Sequence, residues 1–141
     1  MAGPFRTSRR IEFADTDMAG IVHFANFFRF MESAEVDFLS TLGLSVSMRT
    51  DEGERFGFPR VSSSCDFLKP VTFLDVLDVT VSVVKVGQKS VTYQFAFFKG
   101  GEAVARGQIT AVCCRVLGEG RIESIPIPAG IREKLEQHLT R

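Results

Sequence analysis

The sequence predicts an α+β fold in which an antiparallel sheet wraps around one long central helix. Three observations carry this reading. From Phe24 to Leu42, apolar side chains recur at three- and four-residue steps, the period of a helix. Beyond Pro59 the chain alternates apolar and polar residues instead, the period of half-buried strands, and short glycine turns separate the alternating runs. Strands joined by tight turns pair antiparallel, and a lone apolar helix must bury its stripe against the sheet they form.

Each element follows in order. A first strand is expected over 9–13 (Arg-Arg-Ile-Glu-Phe), which alternates weakly. In the helix, Phe27, Phe30, Met31, Ala34, Phe38 and Leu42 share one face, while Arg29, Glu32 and Ser33 point elsewhere. Gly43 stands where a C-terminal cap glycine belongs. Residues 44–58, rich in Ser, Asp, Glu and Gly, read as a loop with room for one helical turn. Val61, Ser63, Cys65 and Phe67 then alternate with Ser62, Ser64 and Asp66, and Pro70 marks an edge or bend. Leu77, Val79, Val81 and Val83 make the next strand. After the Gly87-Gln88-Lys89 turn, Val91, Tyr93, Phe95 and Phe97 make another. Gly100-Gly101 reads as a hairpin turn. One long strand over 102–117, a glycine turn, a short strand over 121–125 and a terminal helix over 129–139 complete the chain.

Ala103, Ala105, Gly107, Ile109, Ala111 and Cys113 form a mostly small-residue face, which lets a Phe-rich helix approach closely. One helix cannot cover both faces of five strands, so pairing with a second copy is expected.

Composition narrows the function. Residues 1–141 read as a single domain, long enough for a real core. Lys plus Arg balances Asp plus Glu at 17 each, which argues against nucleic-acid and membrane-surface partners. No apolar run approaches the ~18 residues of a membrane span. Met1 to Arg10 carries no signal-peptide stretch, and the three cysteines (Cys65, Cys113 and Cys114) follow no disulfide or zinc spacing. A cytoplasmic setting is expected. Fourteen Phe with no Trp and one Tyr point to a Phe-lined core or pocket.

The chemistry concentrates between Glu12 and Phe27, where two aspartates and Gly20 run directly into the helix. A carboxylate beside a helix N-terminus faces outward-pointing N–H groups with partial positive charge. Such a pair can attack a carbonyl and hold the resulting oxyanion. The routine alternative for Asp17 is an Asx turn or a cap. Asp15 is expected to be structural, and Gly20 to permit positive φ. His23 is a satisfied polar residue at the helix start or a site group, and Glu32 an internal hydrogen-bond partner or a second carboxylate. Ser62, Ser63 and Ser64 lack the histidine base that a serine nucleophile needs. Acidic magnesium motifs follow an apolar parallel strand, whereas hairpins dominate here, so no metal site is expected.

Asp15-Thr16-Asp17-Met18-Ala19-Gly20-Ile21-Val22, then Asn26-Phe27 and Phe30-Met31-Glu32, resembles the acyl-CoA thioesterases of the 4-hydroxybenzoyl-CoA thioesterase type and the related YbgC type. The family pattern is roughly D-x-D-x-x-G-x-V, then Asn with an aromatic, then an acidic residue five positions later. The resemblance covers most of the chain, and the motif is specific for the family but only weakly for the substrate. It implies a hot-dog fold that hydrolyses an acyl-CoA to free acid and CoA. It also implies no metal or redox cofactor, CoA being part of the substrate. The implied active unit is a homo-oligomer, dimer or tetramer, with the site at a subunit interface.

Carried over, Asp17 corresponds to the catalytic carboxylate, acting as nucleophile through an acyl anhydride or as general base on water. The backbone N–H near Phe24 corresponds to the donor that polarises the thioester carbonyl. His23-Phe24 stand where the family often has Tyr-His or Trp-Tyr, so a His23 pointing inward would tune Asp17 or touch the acyl group. Phe27 replaces a frequent Tyr in an acyl pocket suited to aromatic or medium-length groups. The Ser62–Ser63 strand is implied to wall the thioester end. Lys89 and Ser90 lie at the turn where CoA ends, with Lys89 meeting a phosphate and Arg60 and Arg106 weaker candidates. Two alternatives stand beside this: a non-catalytic acyl-CoA or acyl-carrier binding module, and a hot-dog dehydratase or hydratase pairing His23 with Glu32.

Overall fold

The computed structural model describes residues 4–140. The main sheet has five strands in the order β1 (Phe5–Arg10), β5 (Val76–Val86), β6 (Ser90–Lys99), β7 (Glu102–Val112) and β4 (Arg60–Phe67). Every neighbouring pair is antiparallel. Helix α1 (Phe24–Thr41) lies across one face and packs on β1, β4 and β5. A second sheet orders β2 (Ser47–Arg49), β3 (Arg55–Gly57), β8 (Cys114–Gly118) and β9 (Arg121–Ser124). Helix α2 (Ala129–Glu136) packs on β5. One sheet around one long helix is the hot-dog architecture the sequence predicts.

Both ends of α1 are specified locally. His23 is the N-cap, and its Nδ1 accepts a hydrogen bond from the Ala25 N–H at 3.2 Å. At the other end the Gly43 N–H donates to Ser40 O and the Leu44 N–H to Leu39 O, with Gly43 at φ +73°. That pair of bonds is a Schellman motif, and glycine meets its left-handed residue without strain. Between the caps, Phe27, Phe30, Met31, Ala34 and Phe38 are buried on the side facing the sheet. They meet Leu77, Val79, Val81 and Val83 of β5 and Tyr93, Phe95 and Phe97 of β6 within one core. Full burial of each large apolar side chain stabilises by about 1.5–3 kcal/mol.

The small-residue face permits this contact. Met31 is 0% exposed, seated against Gly107 on β7. A Cβ added at Gly107 would overlap Met31 Sδ and come within 2.8 Å of the Ser64 carbonyl oxygen.

Five expectations are corrected. The first strand lies earlier, at Phe5–Arg10, because residues 13–15 curl into a 3₁₀ turn that leaves Phe13 exposed. Residues 44–58 are not a plain loop: β2 and β3 pair across a turn in which the Thr50 N–H donates to Glu54 O and Gly53 takes φ +84°. Strands of three residues are too short to show an alternation. The expected single strand over 102–117 breaks at Cys113, whose N–H donates to Lys89 O at 2.7 Å while its carbonyl accepts from the Ile125 N–H at 2.9 Å. The chain thereby leaves the main sheet for the second one. An irregularity between Phe97 and Phe98 also shifts the β7 alternation, so Ala103 is exposed and Val104 buried. The terminal helix stops at Glu136 rather than 139.

A Gly107→Ala substitution is expected to cost about 1–3 kcal/mol through overpacking. Urea unfolding at unchanged m-value measures this. A variant as stable as the parent would show that the helix is not seated on this glycine.

Candidate active site

The loop between β1 and α1 is built from short-range hydrogen bonds. Asp15 is 3% exposed, and its carboxylate accepts from the Glu12 N–H at 2.8 Å, closing the 3₁₀ turn. Arg9 Nη2 lies 3.8 Å from the same carboxylate, and its guanidinium sits 4.4 Å from the Phe30 ring centroid. Thr16 and Val22 then form a bridge around a tight tip. At the tip the Asp17 N–H donates to Ile21 O (2.9 Å) and the Gly20 N–H to Asp17 O (3.0 Å). Gly20 takes φ +81°, the conformation glycine is needed for in such a turn. Asp17 Oδ1 accepts from the Ala19 N–H at 2.8 Å, an Asx turn that sets the direction of the carboxylate.

The loop is fastened to α1 through one carbonyl. Asp15 O accepts from the His23 N–H at 2.9 Å and from Asn26 Nδ2 at 2.8 Å. Asn26 Oδ1 in turn accepts from Arg29 Nη1 at 3.1 Å. Asn26 stands in the sequence motif, yet its work, holding the loop to the helix start, is visible only in three dimensions.

Asp17 and the start of α1 open onto the same cleft, of about 310 Å³, lined chiefly by Ile21, Val22, Phe24, Phe27, Phe67 and Val71. Among the described residues the Phe24 N–H has no acceptor. The Ala25 N–H is taken by His23 Nδ1, and the Asn26 N–H by His23 O. The cleft therefore combines an exposed carboxylate with an orphan helix donor against apolar walls. A larger depression of about 440 Å³ lies on the outer face of the sheet, between Ser64, Asp66, Gln94 and Arg106. It shares no lining residue with the Asp17 cleft and contains no helix N-terminus.

The other predicted site residues fall as follows. Phe24 and Phe27 line the cleft, whereas His23 caps the helix and stacks on Phe24 with ring centroids 5.0 Å apart. Glu32 is exposed and 3.8 Å from Arg60 Nη1, outside the cleft. Ser62 and Ser63 lie on β4, the exposed edge of the main sheet. Lys89 and Ser90 stand at the β5–β6 turn, where Lys89 Nζ reaches Ser124 Oγ at 3.4 Å. Lys69, not singled out from the sequence, lines the cleft with its Nζ 2.9 Å from Glu102. Burial pushes the thiols of Cys65 and Cys113 up to about 11, so neither is a nucleophile near neutral pH. Among the described residues no cluster of three or more His, Cys, Asp or Glu side chains could hold a metal ion.

Arg60 does different work from the phosphate contact the resemblance suggests. Its Nε is 2.9 Å from Glu35 Oε1, and Nη2 bonds the same oxygen. Glu35 sits on the buried face of α1 at 0% exposure, and its Oε2 has no partner among the described residues. Burial pushes the Glu35 carboxyl above its ordinary value, against the opposing pull of Arg60.

Comparison with known proteins places the chain. The model of the Thioesterase-like superfamily matches residues 11–135. The 1,4-dihydroxy-2-naphthoyl-CoA hydrolase of Thermosynechococcus vestitus is 30% identical over 131 residues, covering 92% of this chain and 89% of that protein. The 4-hydroxybenzoyl-CoA thioesterase of Pseudomonas sp. strain CBS-3 is 30% identical over 135 residues, covering 92% and 95%. The solved structure of the BH1999 gentisyl-coenzyme A thioesterase superposes with a TM-score of 0.79 at 31% identity, covering 91% of this chain and 99% of that one. The fold and the loop-to-helix cleft define a hot-dog thioester hydrolase. The chain belongs to the thioesterase-like superfamily.

An Arg60→Ala variant is expected to lose about 3–5 kcal/mol at pH 8, because it strands a buried carboxylate. A carboxyl held above its unfolded value contributes fully to stability below that value, and the contribution is lost as pH rises through the folded one. Removing Arg60 raises the Glu35 carboxyl further, so the deficit should shrink as pH falls toward 5. Urea unfolding of both proteins at the two pH values checks this, and an equal loss at both would contradict it.

Proposed function

We propose that the chain is an acyl-CoA thioesterase that hydrolyses an aromatic or short- to medium-chain acyl-CoA to the free acid and CoA. The observation that carries this reading is the pairing of an exposed carboxylate with an orphan helix N–H on one apolar cleft. The thioester carbonyl oxygen accepts from the Phe24 N–H, which stabilises the negative charge that develops on attack. Asp17 attacks the carbonyl carbon to form a transient anhydride, or removes a proton from the water that does so. Either route consumes one water and releases the CoA thiol. No metal or redox cofactor is required by this chemistry.

His23 supports the site indirectly, because its ring occupies the helix cap rather than the cleft. Exposed Lys89, with a single long contact to Ser124, is free to meet a CoA phosphate. Ser62 and Ser63 wall the approach on β4. This strand also leaves an unpaired edge carrying Val61 at 62% exposure, which a second copy would cover. A homodimer, associating further into a homotetramer, is the proposed active unit, with residues 1–141 as one domain of each copy. Among the described residues no helix is long and apolar enough to cross a membrane, and all three cysteines are free. Free thiols fit residence in the reducing cytoplasm. A hydratase would need His23 beside Glu32, a pairing the cap and the Arg60 contact do not favour.

Asp17→Asn removes the charge while leaving an oxygen for the Ala19 N–H. Thiol release from a panel of acyl-CoAs is expected to fall about 10²–10⁴-fold. Undiminished hydrolysis would overturn the role of Asp17. A parent protein that binds acyl-CoA without releasing thiol would favour the binding module.

A further inference from the structure

Helix α1 begins with a capping side chain that can take a proton. His23 is the N-cap, at φ −63° and ψ 130°, and its Nδ1 accepts the Ala25 N–H at 3.2 Å. Two main-chain bonds brace the same residue: its N–H donates to Asp15 O at 2.9 Å, and its carbonyl accepts the Asn26 N–H at 2.9 Å. Its ring also stacks on Phe24, with centroids 5.0 Å apart and planes 23° from parallel.

These contacts set the direction of the Phe24 N–H. That N–H shares one rigid trans peptide with the His23 carbonyl, and the two point in opposite directions. The carbonyl is turned along the helix to Asn26, so the N–H points out of the helix end. Once the His23 side chain lets go, this peptide plane is free to rotate and the donor loses its aim.

An acceptor at Nδ1 must carry a lone pair, so the neutral ring holds its proton on Nε2. A second proton removes that lone pair and turns an N–H toward the Ala25 N–H. It also sets a positive charge at the positive end of the helix. Asparagine caps helices as well and takes no proton. The charged side chains on the elements that meet here are engaged elsewhere: Asp15 with the Glu12 N–H and Arg9, Asp17 with the Ala19 N–H, Arg29 with Asn26, and Lys69 with Glu102. The cap bond is made within one chain, so it does not depend on which residues a second copy brings to the cleft.

We infer that His23 is the positioning residue of the Phe24 N–H, and that it holds this donor only while Nδ1 is free of a proton. This rests on the thioesterase reading of the cleft and deepens it.

The test compares the parent with His23→Asn and His23→Ala. At about pH 8, His23→Ala is expected to lose on the order of tenfold in kcat with KM little changed, and His23→Asn to recover most of that loss. Thiol release is then followed from about pH 8 down to about pH 5. Asp17 and the other titrating groups are common to the parent and His23→Asn, so the ratio of the two isolates His23. The parent should lose roughly fivefold or more against His23→Asn over that range. Superposed profiles, or His23→Ala matching the parent at about pH 8, would overturn the inference. Amide NMR reads the cap apart from catalysis. On acidification the Phe24 and Ala25 amide resonances of the parent should shift together with the His23 ring, and those of His23→Asn should stay. Amides that ignore the ring would contradict the inference equally. A parent that releases no thiol while both amides follow the ring overturns the hydrolase reading and leaves the proton-sensitive cap standing.

Discussion

The Asp15 carbonyl is the hinge pin on which the site depends. It receives the His23 N–H from the chain entering α1 and the Asn26 amide from the helix itself. The side chain of the same residue closes the preceding 3₁₀ turn through the Glu12 N–H. One buried residue therefore fixes the loop tip on one side and the first turn of the helix on the other. A carboxylate at the tip and an N–H at the helix start can only cooperate if their separation is held. These bonds, with the Thr16–Val22 bridge, hold it.

The rest of the fold supplies a rigid seat for that junction. Met31 is pressed against Gly107, and Phe27, Phe30 and Phe38 fill the space over β5 and β6, so α1 has little freedom to slide. Arg60 and Glu35 tie the start of β4 to the middle of the helix. The same strand delivers Phe67 to the cleft at its other end. A buried charge pair adds little net stability, but breaking it is costly. Its consequence here is placement of the strand that completes the pocket wall.

Much of this was legible in the sequence. A 3.6-residue stripe ending at Gly43 marked α1 to within a residue at its C-terminal end, because a helix with an apolar face and a glycine cap is specified locally. The alternating runs around Val79, Phe95 and Ile109 marked the main sheet for the same reason. The motif also put Asp17 and Phe24 together, since the loop between them is short. What escaped was set by distant partners. The Cys113 break depends on Lys89 and Ile125, and β2 and β3 are strands only because β8 lies beside them. Arg60 read as a free cation, for its partner Glu35 is 25 positions away and sat among helix residues with nothing to mark it as buried. Asn26 lay in plain view without a role, because its acceptor is a main-chain carbonyl that no residue type announces.

The most direct measurement is the steady-state kinetics of an Asn26→Leu variant on a hydrolysed acyl-CoA. Leucine keeps the volume and removes the buried-side bond to the Asp15 carbonyl, together with the exposed contact from Arg29. If that bond sets the distance between Asp17 and the Phe24 N–H, kcat should fall on the order of 10²-fold with KM little changed and the fold retained. A folded variant whose kcat stays within about twofold of the parent would contradict the account, since loss of this bond should misplace the proposed reacting groups, Asp17 and the Phe24 N–H.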